Sequence, residues 1–227
     1  MKKKLLIIEP HSDDSIISCG GFLLKNHDKF DLNFCLVCAS DVELYHGKIS
    51  RQTRINEYKK YVNYFNGKLI ESQYKELSFP LDMDGRLDTI PRSDLVKLIE
   101  NSILRVKPDI LMIMGSSFHH DHTAVYEAVI AATRPTFETS PELIYIMENP
   151  TYVHDPYPGT FKANTYVELD EEQIEKKCQL FEDLFPSQIR IEGNYLSRDG
   201  LIKWAQYRGI EARCNYAEAF SQFFSRI

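Results

Sequence analysis

The stretch LLIIEPHSDD, residues 5–14, decides how this chain is read. Leu5-Leu6-Ile7-Ile8 is a continuous apolar run of the kind that a strand buried on both faces requires. It stops at a turn that carries an imidazole and two adjacent carboxylates, His11, Asp13 and Asp14. Ser and Asp cap helices and form turns readily, which accounts for one Asp but not for the group.

The pattern continues outward from that strand, placed at about 4–9. Ser15 to Asn26 reads as a helix whose Gly20-Gly21 pair permits close approach to the sheet. A second strand is expected at 32–39 and a helix over Ser50–Asn66. In that helix Ile55, Tyr58, Val62 and Phe65 share one face, and Gly67 stops it. A third strand near 68–72 and a polar loop over 74–92 follow. Leu95, Ile99, Ile103 and Val106 mark a further helix stopped by Pro108. Ile110–Met114 and Leu143–Met147 read as buried strands around a helix at about 123–133. Residues 1–147 therefore alternate β-α through five strands, which predicts a parallel sheet covered on both faces. The last third is less regular. It has a strand at 165–169, a helix capped by Asp170 with Gln173 at the capping-box position, a helix near 198–211 and a terminal strand over Tyr216–Phe220. The fold class expected is a Rossmann-like, three-layer α/β/α arrangement with a mostly parallel sheet and an irregular α+β C-terminal third. With no repeat or linker, residues 1–227 read as one domain.

At 227 residues with 43% apolar composition the chain can bury a substantial core. A net charge of −6, with no basic run beyond Lys2-Lys3-Lys4, opposes binding to a phosphate backbone, so nucleic acid is not an expected partner. The four-residue apolar run is too short for a signal peptide, and no stretch approaches the roughly 20 apolar residues of a membrane span. A cytoplasmic location is expected, and homo-oligomerisation stays open. Five cysteines form no disulfide framework and read as free thiols. Cys35 and Cys38 have C-x-x-C spacing, but on a strand such residues point to opposite faces, so they read as small buried side chains.

In an open parallel sheet the ligand site lies beyond the carboxyl ends of the strands. A dinucleotide-binding domain would place G-x-G-x-x-G in its first turn, whereas the two carboxylates here would repel pyrophosphate. Imidazole with carboxylate instead suits a divalent cation. A second such turn follows the fourth long strand: His119-His120-Asp121-His122. Each residue taken singly has a bland reading as cap, surface group or loop. Together, four of the chain's seven histidines and three aspartates fall in two turns that the topology brings to one sheet edge.

Pro10-His11-Ser12-Asp13-Asp14 and His119-His120-Asp121-His122 resemble the paired P-H-x-D-D and H-x-D-H motifs of the PIG-L, or LmbE-like, family of zinc-dependent N-acetyl amino-sugar deacetylases. Gly20-Gly21, Arg54-Ile-Asn-Glu57, Arg86-Leu-Asp88 and Tyr216–Phe220 extend the resemblance along the chain. It implies His11, Asp14 and His122 as metal ligands, Asp13 as general base and His119 as an electrophilic or acid partner. The implied cofactor is zinc, with iron or cobalt as substitutes, and the implied substrate is a small N-acetylated amino sugar or sugar conjugate. Ser12 and His120 stand where the family usually has proline, and Ser15 stands where it has glutamate. None is an expected ligand. His120 and Asp121 are expected to support the ligands, with His120 a rival to His119. Arg54, Asp84 and Arg86, together with Glu57 and the aromatic stretch Tyr152–Tyr157, are candidates to line a sugar pocket. A phospho-receiver module is disfavoured because histidines suit Mg²⁺ poorly. A non-catalytic sugar-binding protein with a retained metal site is the remaining alternative.

Overall fold

The structure is a computed structural model that describes residues 2–135, 140–150 and 161–226. Its elements run β1 (Lys3–Glu9), α1 (Asp14–Asn26), β2 (Phe30–Leu36), β3 (Val42–Leu44), β4 (Gly47–Ile49), α2 (Arg51–Tyr64), β5 (Lys68–Leu69), β6 (Gln73–Tyr74), β7 (Leu77–Ser78), α3 (Arg92–Val106), β8 (Ile110–Met114), α4 (His120–Ala132), β9 (Leu143–Met147), β10 (Thr165–Leu169), α5 (Glu171–Leu184), α6 (Arg198–Ala212) and β11 (Tyr216–Ser225). Seven of the strands form one sheet in the order β10-β11-β9-β8-β1-β2-β5. From β9 to β5 every pairing is parallel, and β11 runs antiparallel to both β9 and β10.

The period of two along the central strands divides the core into two apolar layers. Leu5, Ile7, Phe34, Met112 and Met114 join the layer that holds Tyr61, Phe181 and Phe185. Leu6, Ile8, Leu111 and Ile113 join the layer that holds Leu98, Ile99 and Val129 of α3 and α4. All of these strand residues are at most 1% exposed, as a two-faced sheet demands. Of the Gly20-Gly21 pair, Gly21 makes the close approach to the sheet: a Cβ added there would fall 2.4 Å from Leu169 Cδ1, so the α1 backbone rests directly on the Leu169 side chain of β10, while Gly20 faces Lys177 of α5. The Asp170/Gln173 capping box opens α5 with both bonds present, at 2.8 and 3.0 Å.

Several expectations need correction. The third strand of the sequence reading shrinks to Lys68–Leu69 at the sheet edge, and the polar loop that follows contains the β6–β7 hairpin and a 3₁₀ turn at Leu87–Thr89. A further hairpin, β3–β4, interrupts the segment before α2. Helix α4 begins three residues earlier than expected, because His119 serves as its N-cap, and the terminal strand runs on to Ser225. The two C-x-x-C thiols do not face opposite ways: β2 ends at Leu36, alternation ends with it, and Cys35 and Cys38 enter the same apolar layer. Burial pushes them up to about 12 and about 11, so both are protonated, apolar side chains. Among the described residues no helix is long and apolar enough to cross a membrane.

Candidate metal centre and catalytic cleft

Strands β1 and β8 are neighbours, paired from Leu5↔Ile110 to Ile8↔Ile113, so the turns that follow their carboxyl ends sit side by side. That pairing brings the two polar motifs together across more than 100 residues. His11 Nδ1 lies 3.1 Å from His122 Nε2 and 3.6 Å from Asp14 Oδ2, and His122 Nε2 lies 3.4 Å from Asp14 Oδ1. All three residues are buried. An ion bound at roughly 2.05 Å from each donor in a tetrahedron has donor–donor edges of about 3.3 Å, so these spacings suit a zinc-sized cation. They are the chemistry of the residues already in place: two imidazole nitrogens and a carboxylate.

The outward nitrogens are also held. His11 Nε2 lies 3.0 Å from Asp121 Oδ2, a carboxylate with no exposure that also accepts from Gly85 N at 2.6 Å and Leu87 N at 2.9 Å. Burial opposes ionisation of Asp121, but His11 and the two backbone donors outweigh it and bring the carboxyl down to about 2. A carboxylate so placed fixes His11 with its proton on Nε2, leaving the Nδ1 lone pair for the cluster. His122 Nδ1 lies 3.0 Å from Ser117 Oγ and 2.9 Å from the Asn149 side-chain amide. Neither residue was found from sequence, although each follows closely on an apolar strand, β8 or β9, at the edge where ligands collect.

Asp13 occupies the N-cap position of α1, yet its side chain makes no capping bond. It is 8% exposed. Burial and the Asp14 carboxylate raise its pKa, against the opposing pull of Arg54 and His11. Asp14 goes the other way: burial favours its neutral form, but His122 and His11 overcome this and lower it. Adjacent carboxylates pushed apart in this manner are suited to different tasks.

The two rival histidines separate cleanly. The His119 ring packs edge-on against His11 at 4.5 Å, and its Nδ1 accepts the Asp121 N–H at 3.3 Å, which leaves the proton on Nε2. Burial, with His11 and His122 nearby, lowers its pKa to about 4. His120 is exposed and lines a different cavity of about 410 Å³, with Phe118, Asp88 and Glu127.

The cleft over the cluster holds about 180 Å³ and is lined by His11, Asp13, Asp14, Arg54, Asp84 and His119, among others. Arg54 is 4% exposed and ion-paired with Asp84, and its Nε has no acceptor among the described residues. Asp84 Oδ1 lies 3.6 Å from His11 Nε2. Arg86 is not brought in: it is exposed, and its Nη2 donates to the Asp82 carbonyl at 3.2 Å. Glu57 is buried but accepts from Ser187 N at 3.1 Å and Ser187 Oγ at 2.5 Å, so its work is to hold the loop after α5. That loop supplies Gln188, Arg190, Tyr195 and Leu196 to the far wall, none of them legible from motif or spacing. Tyr152–Tyr157 lies outside the described residues.

Comparison with solved structures supports the same fold. The A40926 pseudoaglycone deacetylase Dbv21 superposes with a TM-score of 0.70 at 18% identity, over 98% of this chain and 97% of that one. The N,N'-diacetylchitobiose deacetylase of Pyrococcus horikoshii gives 0.65 at 19% identity, over 96% and 83%. GalB, the 4-carboxy-2-hydroxymuconate hydratase of Pseudomonas putida KT2440, gives 0.65 at 16% identity, over 100% and 98%. The scaffold therefore carries more than one reaction. No curated protein matches the chain. The family model for PIG-L, GlcNAc-PI de-N-acetylase, matches residues 6–133, a segment that runs from β1 to just beyond α4 and contains both motifs. With that match over more than half of its length, the chain belongs to the PIG-L family.

Proposed function

We propose that the chain, as one domain over residues 1–227, is a metal-dependent N-deacetylase that removes acetyl from an N-acetylated amino sugar or sugar conjugate. In this reading His11, Asp14 and His122 hold zinc, for which iron or cobalt can substitute, and the enzyme works in the cytoplasm. The observation that carries it is the coincidence, in one buried cluster, of a cation-sized donor triangle with Asp13, a carboxylate that has no capping bond to make. Deacetylases among the solved neighbours, one acting on a pseudoaglycone and one on diacetylchitobiose, support the reaction class.

When bound, zinc supplies a Lewis acid that polarises an amide carbonyl and makes water acidic near neutrality. Asp13 takes one proton of the attacking water on a carboxylate oxygen and returns it to the departing nitrogen, so that the C–N bond breaks to amine and acetic acid, whose remaining proton then passes to the amine or solvent to give acetate. Its raised pKa suits a group that must both accept and release that proton. His119, with its proton on Nε2, donates a hydrogen bond to the oxyanion that develops on the carbonyl. Asp121 keeps His11 oriented, and Ser117 and Asn149 do the same for His122. Arg54 and Asp84 form the polar wall against which sugar hydroxyls are placed.

The test is acetate release from a panel of N-acetylated sugars, free, glycosidic and nucleotide-linked, before and after chelation and zinc reconstitution. Metal-dependent release is expected, with one zinc per chain by elemental analysis and loss of that zinc in His11→Ala, Asp14→Ala and His122→Ala. Zinc-loaded protein that binds these sugars without hydrolysing any of them would favour the non-catalytic alternative.

A further inference from the structure

The far wall of the cleft lies outside the segment that carries the family motifs, and it contains an arginine with no carboxylate partner among the described residues. Arg190 lines the cavity and is half-buried. Among the described residues, its only side-chain bond is Nη1 to the Gln188 carbonyl, at 2.8 Å, and none of their carboxylates lies within ion-pair distance of it. Apart from Asp13, the proposed base, the carboxylates at the cleft are committed elsewhere. Asp84 pairs with Arg54, Asp121 holds His11 and two backbone N–H groups, and Asp14 faces two imidazoles. Other arginines with comparable shielding have partners: Arg54 has Asp84, and Arg208 has Glu148 and Glu211.

The position of Arg190 is built rather than incidental. Its backbone N–H donates to the Leu196 carbonyl at 2.8 Å, which closes the loop across the 3%-exposed Leu196. Ser187 is clamped by the buried Glu57 through both carboxylate oxygens. The β3–β4 hairpin adds Tyr45 Oη to the Ile189 carbonyl at 3.4 Å and His46 Nε2 to the Ser187 carbonyl at 3.1 Å. Its remaining guanidinium donors stay accessible on the cleft wall, placed for the paired, planar hydrogen bonds that arginine makes with carboxylate or phosphate.

We propose that Arg190 is a specificity residue that recognises an anionic group, carboxylate or phosphate, on the substrate, so that the preferred substrates are acidic N-acetylated amino sugars. This rests on the deacetylase reading for the reaction and deepens it for the substrate.

The test compares wild type with Arg190→Gln and Arg190→Lys, at equal zinc content and equal melting temperature. The substrates are N-acetylglucosamine 6-phosphate and N-acetylmuramic acid as the phosphate and carboxylate arms, with N-acetylglucosamine and its methyl glycoside as neutral controls. For Arg190→Gln, kcat/KM on the better acidic substrate is expected to fall roughly 10–100-fold, mainly through KM, with less than about twofold change on the neutral sugars. Arg190→Lys should recover part of the loss. Which acidic arm responds identifies the anion. Equal losses on acidic and neutral sugars, or no loss on either acidic one, would overturn the proposal. Calorimetric binding of glucosamine 6-phosphate and muramic acid, against glucosamine, gives a readout that needs no turnover. Selective weakening there in Arg190→Gln, in a protein that releases no acetate, would retain the anion site and remove the reaction assignment.

Discussion

At the scale of single residues, burial and hydrogen bonding distribute the work of a crowded polar cluster. Asp13 and Asp14 are adjacent in sequence and both buried, yet Asp14 faces two imidazoles while Asp13 has no comparable tether. Asp13→Asn is nearly isosteric and leaves the His11–Asp14–His122 triangle intact. It should retain zinc and lose roughly 10²–10⁴-fold in kcat, as expected for removal of a general base. Near-normal turnover in the zinc-loaded variant would place the base elsewhere. The histidines make a paired prediction. His119→Ala removes a ring packed 4.5 Å from His11 and should depress kcat strongly, whereas His120, exposed and facing another cavity, should tolerate alanine with less than about twofold change. The opposite ranking at equal metal content would reverse the assignment.

Between elements, buried charge joins the helices to the sheet. Lys177 of α5 donates to Glu218 of β11 at 2.7 Å and to the Ile17 carbonyl of α1 at 2.5 Å, and Glu218 in turn accepts Gly21 N at 2.8 Å and Phe22 N at 2.6 Å. Both side chains are 4% exposed, so removing one strands the other. Lys177→Met and Glu218→Gln should each cost about 3–5 kcal/mol, and the double variant should cost less than their sum by at least about 1 kcal/mol. Strict additivity in urea melts would show that the two do not act as a pair. Glu100 on α3 offers a milder case, bonded to Arg134 at 2.8 Å and Lys97 at 3.1 Å. Burial opposes its ionisation, but Arg134 and Lys97 prevail and hold the carboxyl below its ordinary value of 4.5. A depressed carboxyl stabilises the fold above its unfolded pKa and loses that contribution as pH falls through the folded one. Its partners are about half exposed, so Glu100→Gln should cost only about 1 kcal/mol at pH 7, and the gap between the two melting curves should close as pH drops below 4.5. A gap independent of pH would point to packing instead.

For the molecule as a whole, the irregular C-terminal third completes both the sheet and the site. Strand β11 pairs with β9 and β10, Phe185 packs on Tyr61 of α2 with ring centroids 5.3 Å apart, and the loop at 187–196 walls the cleft. A chain truncated after residue 150 keeps the two family motifs but uncovers the β9 edge and the Tyr61 layer. It is expected to lose cooperative thermal unfolding and to aggregate. A soluble truncated chain with a sharp calorimetric transition would make the last third an accessory rather than part of the core.

What the sequence determined by itself was whatever is written in local period and local chemistry. The apolar runs at Leu5–Ile8, Ile110–Met114 and Leu143–Met147 specify strands buried on both faces, because only central parallel strands need apolar side chains at every position. The turns after the first two of those strands displayed the His/Asp motifs for the same reason: they are short, contiguous and unlike ordinary caps. The tertiary structure decided what depends on distance in the chain. That His119 enters the cluster and His120 leaves it follows from where α4 begins, which is set by the His119 cap. That Asp121 orients His11 follows from the β1–β8 pairing, and that Arg86 turns away follows from its bond to Asp82. Ser117, Asn149 and Arg190 carried no sequence signal, since a lone polar residue becomes part of a site only when the backbone around it is folded and most of its neighbours are remote in sequence.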